Sequence, residues 1–199
     1  MKKYVLAAVM FLWLLPAVFG QSDYNNFYDK SAAINKTGMY VLGGWAIANI
    51  ASGAIGWSNT GGSTMRFHQM NLFWNTVNLS IAGFALYNYL QTNAAGLTPD
   101  EILQAHRKTE NLYLINAGLD VLYVGTGFYL KHLSSKKPNK EDLLLGYGNS
   151  IILQGAFLFV FDAVMWGIQR NNRLEFIDNL QLSVAGDSGI FQLGIILPF

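Results

Sequence analysis

The polar residues of four long apolar stretches fall on one stripe of each inferred helix, and nothing else in the chain limits its fold so sharply. The clearest case is Phe67-His-Gln-Met-Asn-Leu-Phe-Trp-Asn-Thr-Val-Asn78. At about 100° per residue, His68, Asn71, Asn75 and Asn78 lie within an arc of roughly 80°. A membrane span that keeps such amides must turn them toward protein or water, because hydrocarbon offers no hydrogen-bond partner. The prediction is an all-α, polytopic membrane protein, a bundle of four transmembrane helices around a polar core.

Composition supports that class. Of 199 residues, 52% are hydrophobic and 13% charged, a charge fraction well below that of an ordinary soluble domain, and the apolar residues come in long blocks. Lys2 and Lys3, the apolar run from Tyr4 to Leu15, and Ala17 to Gly20 have the three regions of a cleavable signal peptide over residues 1–20. The alternative is an uncleaved anchor, which the short apolar run disfavours. Without those two lysines, 11 basic residues stand against 12 acidic ones, so the chain has no electrostatic footprint for nucleic acid. Cysteine is absent, which excludes disulfides and thiol chemistry.

The expected order is an extracytoplasmic lead (21–36), spans at about 37–57, 67–90, 109–130 and 143–168, and an extracytoplasmic tail (171–199). Thr98-Pro99-Asp100-Glu101 is a strong helix start, with a threonine cap, proline in the first turn and glutamate at its third position. From Pro99 the pattern continues to about Leu130, roughly 47 Å against a hydrocarbon core of ~30 Å, so its first turns should stand outside the membrane. The loop Lys131 to Lys140 is the densest cationic stretch of the mature chain, and positive-inside bias places it in the cytoplasm. An export signal puts the N-terminus on the opposite side, as that topology requires. In the tail, Leu180, Leu182 and Val184 alternate and Gly186 to Gly189 reads as a turn, which suggests a short β-hairpin. Gly44, Ser52 and Gly53 match Gly118, Thr126 and Gly127 at one constant offset, a weak sign of an internal repeat.

Asn49 in the first span, Asn71, Asn75 and Asn78 in the second, Asn116 and Asp120 in the third, and Gln154 and Asp162 in the fourth are the candidate polar core. An ionised Asp120 near the bilayer centre would cost at least ~2.5 kcal/mol on insertion scales, and no Lys or Arg lies within a span to pair with it. It is therefore expected to be protonated, hydrogen-bonded to amides such as Asn49 or Asn78, or bound to a cation. The amides have a plainer reading as interhelical ties. His68, at the cytoplasmic start of its span, reads best as an interfacial cap. No catalytic motif, metal-ligand spacing or cofactor fingerprint is present.

Met39 to Asn49, Phe67 to Asn78, Asn116 to Asp120 and Gln154 to Asp162 together resemble an uncharacterised bacterial four-span membrane family, a domain of unknown function. The likeness covers about Met39 to Gln169. It implies the four-span arrangement and no activity.

The expectation is an inner-membrane protein with both mature termini outside. Its core would bind a proton, a cation or a small polar solute within a transport or sensing assembly. Four spans are few for a solitary transporter, so a homo-oligomer or a membrane partner is expected beside the lipid bilayer. The alternatives are a structural protein whose polar core is packing glue, and an intramembrane enzyme using Asp120 and Asp162 as an acid pair. The last requires those carboxyls to lie within about 10 Å of each other, within reach of one substrate.

Overall fold

A computed structural model describes residues 2–91, 94 and 96–187, with side chains for 20–91, 94 and 96–180. Its elements are α1 (Lys2–Asn59), α2 (Gly62–Gln91), α3 (Pro99–Ser134), a 3-10 turn at Pro138–Lys140 and α4 (Glu141–Asp187). No strand occurs among the described residues. The helices run alternately up and down, with α1 packed along α2, α3 along α4, and α2 closing against α4.

The α1–α2 reversal takes only Thr60 and Gly61 outside helix, and Gly62 adopts φ +58°, a conformation that costs a glycine nothing. The expected start of α3 is present in full. Thr98 accepts from the Glu101 backbone N–H, and Glu101 reaches back to the Thr98 N–H in a capping box. That carboxylate is held below its usual range by the two donors on Thr98.

On α1, Phe27, Ser31, Asn35, Met39, Leu42, Ala46 and Asn49 are all buried. Their spacing of three and four residues is one face of a single continuous helix. The outer faces of all four helices are apolar: Ile47 and Ile55, Val77 and Phe84, Ile115 and Leu122, and Val160 and Val164 are each more than half exposed. The interior meanwhile holds Asn71, Asn75, Asp120, Gln154 and Asp162, each at most 5% exposed. This is the reverse of the pattern that water selects. Two helices, within Gly20–Asn59 and Pro138–Leu180, are long and apolar enough to cross a membrane, and only 33% and 28% of their most apolar stretches are buried.

Three expectations need correction. The segment 21–36, expected as a lead separate from the first span, is a continuation of α1, closed against α4 by Phe27, Ser31 and Asn35. The fourth helix does not stop near residue 170; it runs to Asp187. Leu180, Leu182 and Val184 therefore lie in helix, not in a strand. Alternation over five residues does not fix a period, because positions four apart, such as 180 and 184, also share a helix face. The rest of the expected hairpin, from residue 188, lies outside the described residues.

The weak internal match has a structural counterpart. Gly53 and Gly127 both sit at close approaches to the second helix of their hairpin, a Cβ there meeting the His68 carbonyl at 2.9 Å and the Gly148 carbonyl at 2.7 Å. Gly44 and Gly118 both face open space.

Candidate functional site

Interior polar residues gather in three groups, stacked along the long axis. The first joins three helices through amides. Asn71 Nδ2 donates to Asn49 Oδ1 (2.8 Å), and Gln154 Nε2 donates to Asn71 Oδ1 and to Asn49 Oδ1. Trp45 Nε1 donates to Gln154 Oε1 (2.9 Å) while its ring stacks on Phe157 at 3.9 Å. Asn75 extends the chain down α2 by donating to the Asn71 carbonyl, and Asn78 donates weakly to Asn75. Each Gln154 amide atom is satisfied, as burial of an amide requires.

The second group is acidic. Asp120 of α3 and Asp162 of α4 are in side-chain hydrogen-bond contact, and Asn116, one turn from Asp120, bonds to Asp162 from an exposed position at the edge of the group, not from the core expected for it. They are 3% and 5% exposed. Asp120 Oδ2 is buried without a partner. The amides expected at Asp120 were Asn49 and Asn78, but both are committed to the first group. Asn116 takes that place, bonding the partner acid. His68 joins neither group. Its ring lies against Gly56 of α1, edge-on to Phe67, with Nδ1 buried and unpartnered.

The third group was not foreseen, because it joins the supposed lead and tail to the first turns of α3. Gln169 Nε2 donates to Asn35 Oδ1 (2.7 Å) and to the Ser31 carbonyl (3.1 Å), and Tyr113 donates to Asn35 Oδ1 (3.1 Å). His106 Nε2 lies 3.1 Å from the Gln169 carbonyl. A carbonyl only accepts, so this nitrogen carries the proton; Nδ1 lies 3.0 Å from the Ser31 hydroxyl, whose single proton serves either Nδ1 or Gln169 Oε1 at 3.1 Å. Arg173 grips Glu110 with two bonds, Nε to Oε2 (2.8 Å) and a terminal nitrogen to Oε1 (3.1 Å). These bonds hold the Arg173 guanidinium above its ordinary range. The missed signal was the buried spacing itself, since 27, 31 and 35 continue the face of 39, 42, 46 and 49.

Burial holds the His106 imidazole below its ordinary range; the Gln169 carbonyl and Glu110 oppose this, and Arg173 adds to it. Such a group binds protons more readily in the unfolded chain. Its stability contribution is complete above the unfolded value of about 6.5 and is lost as the pH falls from there toward the folded value. Unfolding midpoints in detergent should therefore drop on acidification below that point, and His106→Gln should flatten the drop. Equal slopes for both proteins would show that His106 does not set the dependence.

The fold and these groups define an all-helical protein of four long helices with an amide-and-acid interior and an apolar exterior. The chain belongs to the family of unknown function DUF6992, whose model matches residues 41–163. That stretch contains the first two polar groups and leaves most of the third outside. No curated protein and no solved structure matches the chain.

Proposed function

We propose that this is a membrane-embedded four-helix bundle that binds and releases a proton at the Asp120–Asp162 pair, within a transport or sensing assembly. The carrying observation is the contact between two buried carboxyl groups on separate helices, with one oxygen left unpartnered. Two negative charges at such a separation repel strongly in an apolar interior, so the contact calls for a proton between them. Burial of both acids leaves room for a proton more readily than for a solute.

The apolar exterior supports four spans rather than two. Average hydropathy underrates α2 and α3 because Asn71, Asn75, Asn78 and Asp120 face inward, whereas Phe73, Val77, Ile81, Leu119 and Leu122 face out. Charge bias supports the Lys131–Lys140 loop in the cytoplasm of an inner-membrane protein, and the basic, apolar and small-residue regions of residues 1–20 support a cleaved signal.

In vesicles carrying an imposed pH gradient, the reconstituted protein should dissipate it. Asp120→Asn and Asp162→Asn should each slow this at least tenfold, with unfolding midpoints close to wild type. Wild-type vesicles as tight as protein-free ones would overturn the reading. That result would leave the structural alternative, which the closed amide triad of Asn49, Asn71 and Gln154 favours. The two-acid enzyme meets its distance requirement, since the carboxyls touch; their burial argues against a substrate reaching them.

A further inference from the structure

Two clefts open between α1 and α4, and they are consecutive stretches of one groove. The first, about 280 Å³, is polar, with Asp23 and Lys30 from α1, Asn172 and Glu175 from α4, and Phe27 and Phe176 beside them. The second, about 590 Å³, is apolar, including Ile34 and Val41 from α1 and Phe157, Val160 and Val164 from α4. Lys30 lines both. On α1 the lining positions step from 23 through 26, 27, 30, 33, 34, 37 and 38 to 41, one uninterrupted helix face.

The dimensions suit a single lipid. At 1.5 Å per residue, Asp23 to Lys30 is about 10 Å and Ala33 to Val41 about 12 Å. One leaflet offers a headgroup layer of about 5 to 8 Å and a hydrocarbon depth of about 15 Å. The polar stretch also holds a donor in need of an acceptor. Asn172 is 3% exposed, lines the cleft, and its Nδ2 has no partner. Lys30, bonded to Glu175 at 2.9 Å across the groove mouth, adds a cation beside it. Asp23 and Glu175 supply two carboxylates in the same cleft. Lys30 and the Asn172 amide suit a phosphate, and the carboxylates suit an ammonium.

We propose that this groove binds one zwitterionic phospholipid, with its phosphate at Lys30 and Asn172, its ammonium at Asp23 and Glu175, and an acyl chain along Ile34, Phe157 and Val160. The inference rests on membrane embedding, which a separate readout tests: an embedded protein stays with membranes through a carbonate wash.

The groove is tested by native mass spectrometry of the full chain in detergent, with phosphatidylethanolamine and phosphatidylglycerol of identical acyl chains offered at equal concentration. One phosphatidylethanolamine should be retained at least fivefold over phosphatidylglycerol. Asn172→Leu, which removes the unpaired donor, and Ala33→Trp, which fills the groove from an exposed position, should each cut retention at least fivefold. Leu122→Trp on the outer face of α3 should not. Equal retention of both lipids, a preference for phosphatidylglycerol, or variants that match wild type would overturn the proposal while embedding stands. Release from carbonate-washed membranes would overturn embedding itself.

Discussion

Arg173→Met should destabilise the protein by about 3 kcal/mol, the low end for breaking a buried ion pair, because it leaves a carboxylate behind. Glu110 is 7% exposed and accepts both guanidinium bonds, so nothing in the fold replaces them. His106 Nε2 is 3.9 Å from Glu110 Oε2 but already engaged with the Gln169 carbonyl. The control is Glu110→Leu together with Arg173→Met. Removing both charges should recover most of the loss, since well-packed apolar replacements of buried pairs are often neutral. Denaturant unfolding of the four proteins of this cycle in one detergent measures the coupling. A single-variant loss below about 0.5 kcal/mol, the range of ordinary surface changes, would show that the pair holds nothing. The pair matters beyond its own energy because it fastens α3 to the part of α4 that extends past the family match.

The stripe of Asn71, Asn75 and Asn78 was legible because the helical period is rigid: once 71 faces inward, 75 and 78 must follow. The same logic brought out Asn49, Gln154, Asp120 and Asp162 as inward residues. Their pairing was not legible. Whether Asp120 meets Asn78 or Asp162 depends on the rotation and axial offset of two helices, set by close contacts such as Gly155 against the Asp120 carbonyl. Those offsets are tertiary quantities with no local sequence code.

Helix ends are not marked by apolarity in this chain. Gln21 to Lys36 and Asn171 to Asp187 carry more charge than the apolar blocks beside them, so hydropathy marks where each apolar block stops and not where its helix stops. Polar helix ends that run on together past an apolar block can still bury a shared face, and here they bury Ser31, Asn35, His106 and Gln169 against one another. The useful signal was three-and-four spacing of small, amide and aromatic residues running on past the apolar block.

Gly148→Leu is expected to cost about 3 kcal/mol or to prevent folding, the upper end for overpacking, because backbone cannot yield. Gly148 of α4 and Gly127 of α3 face each other, and a Cβ on either would stand 2.7 Å from the carbonyl oxygen of the other. At Gly148 the next atoms are Lys131 Cγ at 2.9 Å and Lys131 N at 3.2 Å, so only one of the three is a side chain able to move. Relief would require the two helices to part. Separation would propagate one and two turns along α4 to Ile152 and Gly155, the latter packed on the Asp120 carbonyl, and so loosen the acid pair itself. Gly118→Leu is the matched control, on the same α3 with nothing within 4 Å of its Cβ. Exchanging a helix-interior glycine for leucine there should be neutral or gain a few tenths of a kcal/mol. Unfolding midpoints for both variants, together with proton flux for whichever folds, separate packing from chemistry. If Gly148→Leu matches Gly118→Leu in stability, the close approach of α3 and α4 is wrong, and the carboxyl contact that depends on it falls with it.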